Sequence, residues 1–135
     1  AVHKQRVIIP AAFKKKFAEE SEKKVVVTLG PNDTIAIYPL DCWKATLERL
    51  KNGDEHSHKL RTQLIDFAMT EQELEGPGRV RIHEILLNEV NITDKVVIKG
   101  EGHYISLWNP KVYSEVRAGK LNLHRKQFSS EDYQL

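Results

Sequence analysis

A chain of 135 residues has room for one domain, or for two small halves sharing one core. Its 40% apolar and 30% charged residues are those of an ordinary globular protein, and a net charge of +2 announces no polyanion partner, so any nucleic-acid surface must be local. No apolar run approaches the ~20 residues that cross a bilayer, no secretory leader pattern is present, and the lone Cys42 excludes an internal disulfide and fits a reducing cytosol. The chain starts at Ala1 without Met, so further residues are expected before it.

In chain order, Arg6-Val7-Ile8-Ile9 is a short β-branched strand, and the stretch Ala11–Glu20 reads as a helix. Val25–Gly30 and Thr34–Tyr38 are the arms of a hairpin about the turn Pro31-Asn32-Asp33. A short helix carrying Trp43 follows, with Asp41 as its expected N-cap. Leu60, Leu64, Ile65 and Ala68 fall at helical spacing, which predicts an amphipathic connector over Ser57–Ala68. Then the order repeats. Arg79-Val80-Arg81-Ile82 leads into a helix over Glu84–Val90, and Lys95–Gly100 and Tyr104–Trp108 flank the turn Gly100-Glu101-Gly102. Asn109 caps the last helix, and Tyr113 stands where Trp43 stood. Chance among Val/Ile runs explains one matched strand; strand, helix, hairpin and aromatic twice in one order indicate a duplication.

Ile35, Ile37, Ile105 and Leu107 alternate with smaller or polar neighbours, so each hairpin is expected to bury one face. Neither half can cover that face alone. The expected fold is therefore α+β, a pseudo-twofold β-barrel of two repeats decorated with short helices, closed between the halves so that edges disappear. Residues 1–55 form the first repeat half, 56–74 a helical connector, 75–116 the second half and 117–135 a C-terminal tail, all in one composite domain. Val7, Ile9, Val26, Ile35 and Ile37 should pack against Val80, Ile82, Val97, Ile105 and Leu107. Trp43, Tyr113, Leu64 and Phe67 exceed what one small barrel can bury, which predicts a homo-oligomer.

Positive charge gathers at the start: Lys4, Arg6, Lys14, Lys15 and Lys16 occur with no acid among them. Arg79 and Arg81 take the corresponding place in the second half, directly after Gly76-Pro77-Gly78. An arginine beside a tight loop can aim its fork at phosphates or at guanine edges, and a lysine run on a helix supplies phosphate contacts. The competing reading of Lys14, Lys15 and Lys16 is a solvated helix face. Arg117, Lys120, His124, Arg125 and Lys126 form a further basic cluster that a solvated tail explains equally well. Other chemistry is poorly supported. His56 and His58 sit in a polar stretch with Asp54 and Glu55 and lack a second ligand pair, so no metal site is expected. Cys42 has no reactive context, the hairpin glycines match no phosphate loop, and the carboxylates are scattered. No catalytic residue, cofactor, membrane contact or small-molecule substrate is expected.

Two stretches share a pattern with a known family. Val2-His3-Lys4-Gln5-Arg6-Val7-Ile8-Ile9-Pro10-Ala11-Ala12-Phe13-Lys14 and Glu75-Gly76-Pro77-Gly78-Arg79-Val80-Arg81-Ile82-His83, continuing to Leu87, resemble the paired Asp-x-x-Gly-Arg motif of the MraZ proteins. Ile35 to Trp43 resembles the family's aliphatic–Tyr-Pro–Trp signature, and Ile105 to Asn109 its counterpart. The resemblance runs from residue 1 to about 116. Val2 stands where the family has Asp and Gln5 where it has Gly, so the first loop cannot form the same side-chain-capped turn. Glu75 is a milder change, while His83 replaces Pro and Leu87 a basic residue.

The resemblance implies a swapped-hairpin (double-split) barrel of AbrB-like type. It also implies a cytoplasmic, nucleoid-associated transcriptional repressor of the division and cell-wall gene cluster, assembled as a ring and reading short direct repeats in promoter double-stranded DNA. In such a protein Arg6 would read a base, Lys4, Lys14, Lys15 and Lys16 would hold phosphates, and Arg79 and Arg81 would add to the surface. An alternative is an antitoxin-like protein-interaction module with DNA binding secondary or lost.

Overall fold

The structure, a computed structural model, describes residue 2, residues 5–10, residue 13 and residues 24–127, the side chain of Arg125 apart. The expected helix over 11–20 lies outside the described residues except at Phe13. The described strands are β1 (Arg6–Ile8), β2 (Lys24–Gly30), β3 (Thr34–Pro39), β4 (Gln72–Glu73), β5 (Arg79–Arg81), β6 (Val97–Gly100) and β7 (Ile105–Trp108). The described helices of a full turn or more are α1 (Leu40–Lys51), α2 (Glu55–Asp66), α3 (Glu84–Glu89) and α4 (Pro110–Gln127).

The β2–β3 hairpin turns where Asn32 and Asp33 both take φ 57, a conformation these short polar residues tolerate. Thr34 Oγ1 donates to the Pro31 carbonyl at 2.6 Å and closes the turn. The larger sheet has the order β4-β2-β3-β7-β6, and β1 pairs with β5 in a separate two-stranded ribbon. Both joints between the halves have a self-matching register. In the ribbon Val7 pairs with Val80, its counterpart in the repeat. In the large sheet Ala36 pairs with Ser106, again its counterpart. The bonds flanking the ribbon match too: Ile9 N–H donates to Gly78 at 2.9 Å, and Ile82 N–H to Gln5 at 2.8 Å.

Residues of both halves share one core: Val7, Ile9, Val25, Val27, Ile35 and Ile37 pack with Val80, Ile82, Leu86, Leu87, Ile105 and Leu107. Two expected members are corrected. Val26 points to the opposite face of its strand, and Val96 and Ile98, not Val97, pack on this core, because a shift of one residue reverses the face of a strand. The opposite face is not solvated either. Val26, Ala36 and Tyr38 are buried there under Trp43, Leu50 and Leu64 from α1 and α2, so β3 is covered on both sides. On β7, Trp108 and Ser106 are buried as well, and Trp108 Nε1 donates to Ser106 Oγ at 2.8 Å. The aromatic pairs repeat with the fold. Tyr38 meets Trp43 edge-on at 5.3 Å, and Trp108 meets Tyr113 edge-on at 5.5 Å.

Four further expectations change. The connector helix buries only Leu64 of its stripe, against α1 and against β2, where Thr28 Oγ1 donates to the Leu64 carbonyl; Leu60, Ile65 and neighbouring Phe67 remain 41%, 42% and 49% exposed. Asp41 is not the N-cap of α1; the helix starts from Pro39 without a side-chain cap, and Asp41 lies in its first turn. Asn109 does cap α4, its Oδ1 accepting from Lys111 N–H at 2.8 Å and Val112 N–H at 3.2 Å. Among the described residues no closed barrel forms, because β1 and β5 bond to each other and not to a strand of the larger sheet. The apolar excess expected to demand an oligomer is smaller than supposed, since Trp43 and Leu64 are buried within the chain.

Candidate nucleic-acid interface

Strand alternation builds the candidate surface. Val7 and Val80 face the core of the β1–β5 ribbon, so Arg6, Ile8, Arg79 and Arg81 lie on its outer face. The bonds at Ile9 and Ile82 set the ladder so that Arg6/Arg81 and Ile8/Arg79 are the closely spaced pairs, with Cα atoms about 4.5 Å apart. Like charges directly opposite repel. Glu75 answers that repulsion: its Oε2 lies 3.4 Å from Arg6 Nε, with the two side chains 49% and 30% exposed. A pair this open to water contributes at most about 1 kcal/mol to stability. Its effect is on which charges the face presents. Arg79 and Arg81 are exposed, and among the described residues neither is ion-paired.

The loop before β5 explains how these side chains are placed. Gly76 and Gly78 take φ 49 and 105, and the Glu75 carbonyl accepts from Gly78 N–H at 2.9 Å and Arg79 N–H at 2.7 Å. In the first half Gln5, matched to Gly78, also takes a positive φ of 62. On the free edge of β5, the Gln72 amide imitates a strand: Nε2 donates to the Arg81 carbonyl and Oε1 accepts from Arg81 N–H, both at 2.8 Å. His83 Nδ1 accepts from Ile85 N–H at 3.1 Å and starts α3.

The structure thus brings three of the seven candidate residues together, namely Arg6, Arg79 and Arg81. Lys4, Lys14, Lys15 and Lys16 lie outside the described residues. Sequence reasoning missed Glu75 and Gln72 as partners of the ribbon. The motif position of Glu75 was the signal available for the first; nothing local marks Gln72. An open cavity of about 680 Å³ adjoins the ribbon, lined by Arg81, Gln72, Glu75, His83, Ile85 and Phe67 among others. A second, of about 560 Å³, lies between α1, α2 and the first hairpin near Tyr38, Arg49 and Tyr104. Burial, then the neighbouring Tyr104, push the Tyr38 phenol up to about 12. His56 and His58 occupy the first turn of α2, not a loop, and two residues apart they do not share a helix face. His58 Nε2 lies 2.9 Å from the Lys51 carbonyl. Among the described residues no group of three or more His, Cys, Asp or Glu is placed to hold a metal, and no helix is long and apolar enough to cross a membrane.

Comparison with known proteins bears on this surface. Residues 3–66 match the family model described as "MraZ protein, putative antitoxin-like". Relatives named transcriptional regulator MraZ extend the likeness into the second half. The chain is 27% identical to that of Methylobacillus flagellatus over 113 residues, 82% of this chain and 76% of the relative. It is 25% identical to that of Thiobacillus denitrificans over 131 residues, 95% and 88% of the two. With the regulator of Caldanaerobacter subterraneus it shares 32% identity over 114 residues, 83% of this chain and 77% of the relative. At that identity and coverage the chain belongs to the MraZ family.

Proposed function

We propose that this protein is a sequence-specific, DNA-binding transcriptional regulator that meets the duplex with the outer face of the β1–β5 ribbon. The observation that carries this reading is the clustering of Arg6, Arg79 and Arg81 around exposed Ile8 on one two-stranded face. A ribbon of that width fits the B-DNA major groove, where an arginine fork can hold guanine O6 and N7. Lys4, Lys14, Lys15 and Lys16 serve as phosphate contacts in this reading. The self-matching register supports a pseudo-twofold arrangement of swapped hairpins in one composite domain.

So few cations leave a single subunit weakly bound at physiological salt. Useful affinity then requires a homo-oligomer, ring-like by family analogy, whose subunits engage short direct repeats together. Regulation of the division and cell-wall gene cluster and residence at the nucleoid follow from the same analogy. The role is regulatory, without catalysis.

A gel-shift series on the DNA upstream of its own gene, with one, two or three repeats, tests this. Affinity should rise steeply with repeat number, and an Arg6→Ala/Arg79→Ala double variant should lose discrimination against scrambled DNA. Lys15→Ala should weaken all sequences about equally. Affinity independent of repeat number would sink the reading. The protein-interaction alternative is favoured by one observation, the exposure of Phe67 and Ile85 beside the open cavity. Failure of the wild-type protein to bind heparin at low salt would favour it.

A further inference from the structure

An antiparallel ribbon centred on matched residues has a local twofold axis perpendicular to its face, here through the Val7–Val80 pair. That axis relates Arg6 to Arg79 and Ile8 to Arg81. Were the matched side chains equivalent, the face would dock on DNA equally well after half a turn, and a subunit could not tell the orientation of its box. They are not equivalent. Glu75 pairs with Arg6 across the repeats, and the position matched to Glu75 is Val2, an apolar residue that has no charge to offer Arg79. Val2 is instead tied by its backbone N–H to the Asp94 carbonyl at 2.7 Å and packs partly on the core. Arg6 is half-buried, whereas Arg79 is exposed and among the described residues forms no ion pair.

We propose that Glu75 is a positioning residue that gives recognition a direction: by pairing with Arg6 it withdraws that guanidinium from base contact and leaves Arg79 to read the base. The inference rests on the DNA-binding reading above and refines it, for it moves base reading from the first arginine to the second. The acid has two effects. It ties the Nε edge of the Arg6 guanidinium to a carboxylate 3.4 Å away, and it subtracts one charge beside that arginine, which disfavours a phosphate there. The second half adds Arg81 where the first has only Ile8, so the two ends of the face differ in hydrogen-bonding capacity as well as charge. A subunit with such a face reads its box in one orientation, and an assembly of identical subunits then selects repeats that run the same way.

The test uses the full chain and duplexes carrying two boxes from upstream of its own gene. In one the boxes run in the same direction, in another one box is inverted, and in a third both are scrambled. Affinities are measured against salt concentration for wild type, Arg6→Ala, Arg79→Ala, Arg79→Lys, Glu75→Gln and Glu75→Asp. Arg79→Ala should cost about tenfold or more in preference for boxes over scrambled DNA, and Arg79→Lys should not restore it, because a point charge lacks the fork. Arg6→Ala should weaken all three duplexes by a similar, smaller factor. Glu75→Gln should tighten binding overall, steepen the salt dependence by about one ion, and reduce the preference for same-direction boxes to the part that Arg81 supports, while Glu75→Asp retains it in full. A merely structural role for Glu75 would lower thermal stability without moving the orientation preference. Arg6→Ala losing box preference as fully as Arg79→Ala, or Glu75→Gln keeping the orientation preference undiminished, overturns the inference while leaving DNA binding intact. A wild-type protein that does not distinguish boxes from scrambled DNA overturns both readings.

Discussion

Gln5 at the entry to β1 and Gly78 at the entry to β5 hold matched positions, and both take a positive φ, 62 and 105, with different side-chain chemistry. Before β5, Gly76 and Gly78 occupy the left-handed region at no steric cost, and Glu75 closes the turn. Before β1, Gln5 takes φ 62 where a side chain costs about 1–2 kcal/mol. Yet its carbonyl accepts from Ile82 as Gly78 accepts from Ile9. The Val7–Val80 pairing between these positions holds both carbonyls in one ladder. Strain at Gln5 is tolerated because the ribbon over-determines the turn.

The comparison can be broken first at the core, where the halves should be equal. Ile9→Ala and Ile82→Ala remove matched, fully buried side chains, and each should cost about 3 kcal/mol in denaturant melts. Costs that differ by more than about 2 kcal/mol would show that the halves do not share the core evenly. Next, Gln5→Gly should stabilise the protein by about 1 kcal/mol, and Gly78→Gln should destabilise it by about 1–2 kcal/mol. Shifts of the same sign would contradict the strain assigned to Gln5. Asn109→Ala should cost about 1 kcal/mol through loss of the α4 cap, a device that α1 lacks at the matched Pro39.

The smallest effect at neutral pH concerns the matched aromatics. Folding holds the Tyr38 proton more tightly, with the phenol near 12 against an ordinary value of 10. Its contribution is therefore complete below about pH 10 and is lost as pH rises toward 12. Tyr38→Phe should change the neutral-pH melting temperature little and flatten its decline between those values. A decline unchanged in the variant would assign it to other groups.

Element order was legible because its signals are local: β-branched runs, the Pro31-Asn32-Asp33 turn, the Asn109 cap and the recurrence of the whole series. Burial was harder to read. Leu60 and Ile65 have helical periodicity, but periodicity describes a stripe and not whether another surface covers it. The double burial of β3 depended on α1 and α2 folding back over it, which no property of Thr34–Pro39 announces. For the candidate site, Arg6, Arg79 and Arg81 were visible as motif residues. Their shared face became visible only with the register, and the Arg6–Glu75 pair joins residues too far apart in sequence for any local pattern. Gln72 was invisible for the same reason, since its role as a strand surrogate depends on an edge that forms only after folding.

The self-matching register has a consequence for molecularity. Both joints bring a strand against its own counterpart, Val7 on Val80 and Ala36 on Ser106, which is the geometry of an isologous dimer contained in one polypeptide. A chain with a single copy would find those contacts only in a second molecule, so its folded fraction would rise with concentration. Fusion of the copies makes the same closure unimolecular, and because closure entropy grows only slowly with loop length, spanning half the chain adds little to its cost. The kinetic price remains, since strands this distant in sequence must meet before either half is covered. Dilution should therefore leave the fold of a subunit intact, while separating the copies into two peptides should return it to mass action.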